Sequence, residues 1–176
     1  DPVIGDVGSG IFVRPGIPEF VRDRAVPAAE VITPNQFELA YLTGIDIIEL
    51  SDAVAAARAA LALGPRIVVV TSLRHAASRD REIEMLAVTP EGAWRVATPL
   101  LPLDPAPNGA GDAVTALYLA QLLMGKDAAE ALARTAAAIF AVVTATQAAG
   151  TRELQLIAAQ DALAAPPRHF AAEKVA

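Results

Sequence analysis

The spacing of apolar and polar positions changes character several times along this chain, and each change marks an element. Val3–Val13 mixes apolar residues with Gly5, Gly8 and Gly10, which predicts a strand, a glycine loop and a short second strand. Asp1-Pro2-Val3-Ile4 reads as the end of a buried strand already in progress. A short helix is expected over Pro18–Ala25 and a short buried strand at Val31-Ile32. Thr33 then has the character of an N-cap, with Pro34 at the first helical position and Gln36 completing a capping box. That helix runs to about Thr43 and ends at Gly44. Ser51 is expected to cap the next helix, through Leu63, and Gly64-Pro65 to stop it. Ile67–Val70 is a continuous β-branched run, as in a central parallel strand. Glu82–Thr89 and Ala93–Thr98 read as two strands joined by Pro90-Glu91-Gly92 into a hairpin. A Pro-rich loop spans Pro99–Pro107. Helices follow at about Gly109–Met124, Asp127–Gln147 and Leu154–Ala164, and the chain after Pro166 is expected to fray. Strands alternating with helices argue for an α/β sandwich with a mostly parallel sheet.

Composition narrows the function classes. The 176 residues suit one domain, 1–176, and 54% apolar content allows a large buried core. The net charge of −6 and the absence of a basic stripe argue against nucleic acid and anionic membrane as partners. An anionic ligand must then be held locally, by backbone N–H groups and a metal. With no cysteine, zinc–thiolate and disulfide chemistry are excluded. The opening Asp-Pro is unlike a secretory signal, and a cytoplasmic location is the expectation. Thr135–Thr151 carries no charge but is Ala- and Thr-rich and short for a bilayer, so it reads as a buried helix.

Candidate chemistry concentrates at Asn108-Gly109-Ala110-Gly111-Asp112, which runs straight into the apolar stretch Ala113–Met124. The glycines permit a tight bend and close backbone approach to a ligand. A helix N-terminus there would offer unpaired N–H groups and a partial positive charge to a phosphate. Asp112 would set a carboxylate beside that anion, which suits a general base taking a proton from an attacking hydroxyl. A glycine turn followed by an Asp N-cap has the same spacing. Asn35 and Glu38, three apart, share a helix face near the open end of the sheet, where a carboxylate can hold Mg²⁺ through water. They read equally as two solvated polar residues. Thr33 and Thr71 end apolar strands at equivalent positions, with Ser72 next. His75 and His169 lack metal-ligand spacing to a second His or Cys. Trp94 reads as a half-buried hairpin residue.

Three ordered segments carry a resemblance: Asp1–Asp6, Ile32-Thr33-Pro34-Asn35-Gln36-Phe37-Glu38-Leu39, and the Gly109–Asp112 signature, with Ser78-Arg79-Asp80-Arg81 and Glu84-Met85-Leu86 between them. Together they resemble the C-terminal part of the ribokinase-like vitamin kinases, most closely the pyridoxal kinases, over nearly the whole chain. The resemblance implies a three-layer α-β-α sandwich in which Asp1-Pro2-Val3 lies mid-domain. The front of the domain, with most contacts to the vitamin ring, would then precede it. It implies ATP-dependent phosphorylation of the hydroxymethyl group of pyridoxal or a related vitamer, with Asp112 as base and substrate contact. Gly109, Ala110 and Gly111 would form the anion hole. ATP would be held by Asp1, Thr33, Glu38, Thr71, Thr98, Pro99, Leu100 and Leu101, and Mg²⁺ by Asp6, Glu38 and Asn35. A K⁺ ion and a homodimer are further family expectations.

Two departures from the pattern stand out. Ala110 sits where many relatives carry Thr or Val, which keeps the backbone donor, and Ser9 where relatives often have a basic residue, which removes one phosphate contact. No Gly-x-x-x-x-Gly-Lys is present, and Gly109–Gly111 lacks the third glycine of a dinucleotide fingerprint. A hydroxymethylpyrimidine kinase on the same scaffold, or a non-catalytic nucleotide-binding fragment, remains an alternative reading.

Overall fold

The computed structural model describes residues 1–103 and 107–176. A five-stranded sheet forms its middle layer, in the order β3 (Val31–Ile32), β4 (Ile67–Leu73), β5 (Glu82–Thr89), β6 (Gly92–Pro99) and β7 (Glu173–Lys174). A separate antiparallel hairpin, β1 (Gly5–Asp6) and β2 (Gly10–Ile11), stands beside it. The helices are α1 (Ile17–Phe20), which continues through a π-helical segment Val21–Ala25 into α2 (Val26–Ala28), then α3 (Gln36–Thr43), α4 (Leu50–Leu61), α5 (Ala110–Leu123), α6 (Ala128–Ala149) and α7 (Gln160–Ala164).

Strand periodicity explains the layering. Successive side chains of β4 point to opposite faces. Val68 and Val70 join Leu86 and Val88 beneath α3 and α4, where Leu39, Leu42 and the alanines Ala53, Ala56, Ala57 and Ala60 meet them. Val69, with Met85, Ala87 and Val96, faces Val114, Tyr118, Leu132 and Ala136 of α5 and α6. Both faces are therefore covered, and each fully buried Val or Leu contributes about 1.5–3 kcal/mol of transfer free energy. α6 as a whole, Ala128–Ala149, is long and apolar enough to cross a membrane, but it packs here against β5 and β6.

The expected α/β sandwich is present, but the parallel character of the sheet is confined to the β3–β4 pairing and an isolated Asn35–Thr71 bridge. β4–β5, β5–β6 and β6–β7 are antiparallel. The short Pro90-Glu91 turn forces the β5–β6 hairpin, which runs in unbroken register from Glu82–Pro99 to Thr89–Gly92.

Several local expectations are corrected. Asp1–Ile4 forms no strand: Val3 adopts φ +50°, and the Ile4 N–H donates to the Glu38 carboxylate, not to a neighbouring strand. The cap of α3 is Asn35, not Thr33, and its box partner is Glu38, not Gln36. Pro34 disfavours helical geometry at Thr33, and the Thr33 hydroxyl lies 2.7 Å from the Thr115 hydroxyl of α5. Glu49, not Ser51, begins α4, because Asp52 Oδ2 accepts the Glu49 N–H at 2.8 Å. The predicted Leu154–Ala164 helix shortens to Gln160–Ala164. Its first residues are tied elsewhere, with the Gln155 N–H donating to Thr146 Oγ1 of α6 at 3.0 Å. The chain after Pro166 does not fray: β7 pairs with Trp94 and Arg95, and the Ala93 N–H donates to the Ala176 carbonyl at 2.8 Å. Of the Pro99–Pro107 loop, residues 104–106 lie outside the described residues.

His75 also differs from its loop reading. Its ring is buried, with Nε2 3.2 Å from Glu84 Oε2. Glu84 Oε1 accepts the Ser78 hydroxyl at 3.1 Å and faces Arg95 Nη1 at 3.5 Å. This cluster anchors the β4–β5 connection to the sheet.

Candidate active site

The first turn of α5 leaves its backbone donors without a side-chain cap. Gly109 precedes it at φ +83°, left-handed geometry that glycine adopts without the Cβ clash. No side chain caps this end, so the N–H groups of Ala110, Gly111 and Asp112 point outward without intrahelical acceptors. A Cβ on Gly111 would lie 3.0 Å from Asp1 Oδ2, so the missing side chain is what admits the Asp1 carboxylate to the helix end.

A cleft of about 500 Å³ opens from that turn. Ala110 and Gly111 border it on one side, and Asp6 and Thr71 at its polar end. Thr98, Pro99, Leu100 and Leu101 line the opposite wall. Candidates singled out in the sequence, from four separated segments, therefore converge on one cavity. The third wall is Ile139, Phe140 and Val143 of α6, which sequence reasoning missed. Their spacing on an apolar helix was visible, but the whole stretch read as core.

The remaining candidates sit around the cleft. Gly109 and Asp112 border an adjacent recess with Arg152 and Leu154, on the other flank of the same turn. Asp112 is exposed. Thr33 is buried behind the turn; its partner Thr115 also donates to the Gly111 carbonyl at 3.0 Å, so the strand end braces the first turn of α5. Asn35 Nδ2 donates to the Gly5 carbonyl at 2.7 Å, and Asn35 Oδ1 accepts the Glu38 N–H at 3.0 Å. Glu38, buried at 2%, accepts the Ile4 N–H at 2.7 Å on Oε1 and the Asn35 N–H at 2.9 Å on Oε2. Both its oxygens are taken by the backbone, so it clamps β1 and the segment before it onto α3. None of Ser78–Arg81 borders the cleft, and Arg79 is 82% exposed beside Glu82.

Two further features mark the polar end. Ser72 lines the cleft at φ +51°, a backbone conformation rare outside glycine, at a register shift between Val70 and Leu73. Arg74 shares a smaller recess with Asp6, Asn35 and Ser72, a nearby cation that sequence reasoning passed over.

Among the described residues no group of three or more His, Asp or Glu converges to hold a metal. A closed protein cage for a cation is therefore not formed. Asp6 suits the sparser style of Mg²⁺, which takes one or two carboxylates and fills its shell with water and phosphate oxygens. Its Oδ1 accepts the Gly8 and Ser9 N–H groups at 2.8 and 2.6 Å, which fixes the carboxylate at the cleft.

Comparison with known proteins identifies the family and the fold. The model of the phosphomethylpyrimidine kinase family matches residues 1–156. The chain is 57% identical to pyridoxal kinase PdxY of Rubrobacter xylanophilus over 177 aligned positions, covering 100% of this chain and 60% of that protein. It is 50% identical to pyridoxal kinase PdxY of Deinococcus radiodurans, again covering 60% of the relative. The chain thus spans about three-fifths of the length of these relatives. In fold it matches the pyridoxal kinase of Leishmania donovani, solved with ADP and ginkgotoxin, at TM-score 0.88 and 22% identity, covering 99% of this chain and 60% of that one. It also matches a putative phosphomethylpyrimidine kinase of Bacteroides thetaiotaomicron at TM-score 0.86 and 24% identity, covering 99% and 62%.

Proposed function

This chain belongs to the phosphomethylpyrimidine kinase family, and from that premise we propose that it carries the nucleotide and phosphate machinery of an ATP-dependent kinase acting on the hydroxymethyl group of pyridoxal. The observation that carries the reading is the N-terminus of α5 without a side-chain cap, which borders a cleft lined both by the polar Asp6, Thr71 and Ser72 and by apolar residues of β6, the loop after it and α6. A nucleotide fits such a lining, with its phosphates at the N–H groups and its base among Leu100, Leu101 and the α6 residues.

In this mechanism Asp112 takes the proton of the substrate hydroxymethyl as its oxygen attacks the γ-phosphorus in line. A new O–P bond forms, the bond from the γ-phosphorus to the β–γ bridging oxygen breaks, and ADP leaves. The turn separates the two partners: Ala110 and Gly111 face the nucleotide cleft, Asp112 the neighbouring recess. Backbone N–H groups of Gly109, Ala110 and Gly111 stabilise charge on the transferred phosphoryl, with no reorganisation needed at the moment of reaction. Asp6 would hold Mg²⁺, which when bound would neutralise phosphate charge, while Asn35 and Glu38 fasten the segment that carries Asp6. Thr71, Ser72 and Arg74 supply further contacts at the phosphate end.

The family name and the Bacteroides structure keep a hydroxymethylpyrimidine acceptor as the second reading. A panel of pyridoxal, pyridoxine, pyridoxamine and hydroxymethylpyrimidine, given with ATP to the full-length protein that carries this chain, decides between them. Pyridoxal as the preferred acceptor supports the proposal. Preference for the pyrimidine moves the assignment, and ATP binding without turnover of any acceptor overturns it in favour of a non-catalytic nucleotide-binding protein.

A further inference from the structure

We infer that the C-terminal segment of this chain is a positioning device for the nucleotide cleft, with Arg168 and Phe170 holding Phe140 as the wall that faces the base. The inference rests on the nucleotide reading of that cleft. Phe140 borders the cavity beside Ile139 and Val143, on a different element from the α5 N–H groups. Its ring packs edge-on against Phe170, with centroids 5.2 Å apart at 72°. The Arg168 guanidinium lies 5.3 Å from the Phe140 centroid and 5.1 Å from that of Phe170. An aromatic pair in this arrangement, with a cation over both rings, is held more firmly than area burial alone would hold it.

The segment that delivers these side chains is itself anchored. β7 pairs with Trp94 and Arg95, the Val175 N–H donates to the Ala93 carbonyl at 2.8 Å, and Arg95 Nη2 lies 3.0 Å from Glu173 Oε2. All of these anchors are on β6, whose other end, Thr98 and Pro99, forms the opposite wall of the same cleft. The segment thus ties β6 to α6 and sets the gap between the two walls. It lies outside residues 1–156, the part that the family model matches.

The test uses the full-length protein with Arg168→Ala, Arg168→Lys and Phe170→Leu. Readouts are KM for ATP, KM for the alcohol, kcat, Tm, and inhibition by inorganic triphosphate with Mg²⁺, which has phosphates but no base. Arg168→Ala and Phe170→Leu should each raise KM for ATP about three- to ten-fold, the size of one such contact. The values of kcat, KM for the alcohol and triphosphate inhibition should stay unchanged, and Arg168→Lys should recover most of the loss. Unchanged KM for ATP in a wild-type protein that saturates with ATP overturns this inference alone. Equal weakening of ATP and triphosphate, or a fall in kcat that follows Tm, also overturns it, since either means a general packing role. If Arg168→Ala does not fold, Arg168→Gln keeps most of the side-chain volume without the charge and is read in the same way. A wild-type protein that does not use ATP overturns the nucleotide reading itself.

Discussion

At the scale of single residues, Asp112 and Glu38 show how two carboxylates in one chain take different work from their surroundings. Asp112 is exposed on a first helical turn, with no side-chain hydrogen-bond partner among the described residues. Asp112→Asn should keep the fold and ATP binding and lower turnover by about 10²–10⁴; steady-state kinetics beside a nucleotide titration check this. Glu38 is buried and saturated with backbone donors. Glu38→Gln would turn an amide N–H₂ toward one of those donors, and we expect a loss of about 1–3 kcal/mol in stability, read by chemical denaturation. Gly111 is a third case. Gly111→Val would push a side chain into Asp1 and across the anion-binding turn, so affinity for ATP should fall at least ten-fold with little change in Tm.

At the scale of elements, α5 is the working part. Its first turn borders the cleft, while Val114 and Tyr118 bury it against the sheet and α6. The Tyr118 hydroxyl donates to the Ala128 carbonyl at 3.3 Å. Burial, with a smaller contribution from Asp127, raises its ionisation well above the ordinary value near 10. The folded state therefore keeps the proton at pH values where the unfolded chain has lost it. The stabilisation is complete below pH 10 and declines as pH rises beyond it. Tyr118→Phe should flatten the fall in Tm above pH 10, at a cost of about 1 kcal/mol at neutral pH for the lost hydrogen bond. A pH series of melts decides it. The capping errors belong at this scale too. Thr33 and Ser51 are good N-cap residue types, but Asn35 had the Glu38 N–H within reach and capped α3, while at α4 the Asp52 carboxylate took the Glu49 N–H and left Glu49 as the cap.

At the scale of the whole molecule, the cleft exists because four segments far apart in sequence end at one side of one sheet. A ligand that bridges them should stabilise all of them together. ATP with Mg²⁺ at 100 times its Kd should add about 2.7 kcal/mol to the stability of the full-length protein. Hydrogen exchange should slow at the β1–β2 hairpin, the β4 end and the first turn of α5 together. Slowing confined to α5 would mean that an anion binds the turn alone.

The elements with strong period or strong punctuation were legible in the chain: the β5–β6 hairpin, α5 with its glycine signature, and the long apolar α6. The residues that meet at the cleft beside α5 were legible as candidates as well, since glycine, aspartate and strand-end threonine announce themselves by residue type. These are local properties, decided by backbone freedom, charge and side-chain alternation within a few residues. Other features depended on partners distant in the chain. Glu38 became a backbone clamp because Ile4 came within 2.7 Å of it, 34 positions away. The tail after Pro166 became a strand because β6 offered an unpaired edge, and Phe140 became a cleft wall because α6 lies across the end of β6. Hydrogen-bond partners, sheet edges and cavity walls are set by which surfaces meet, so only the tertiary structure could decide them.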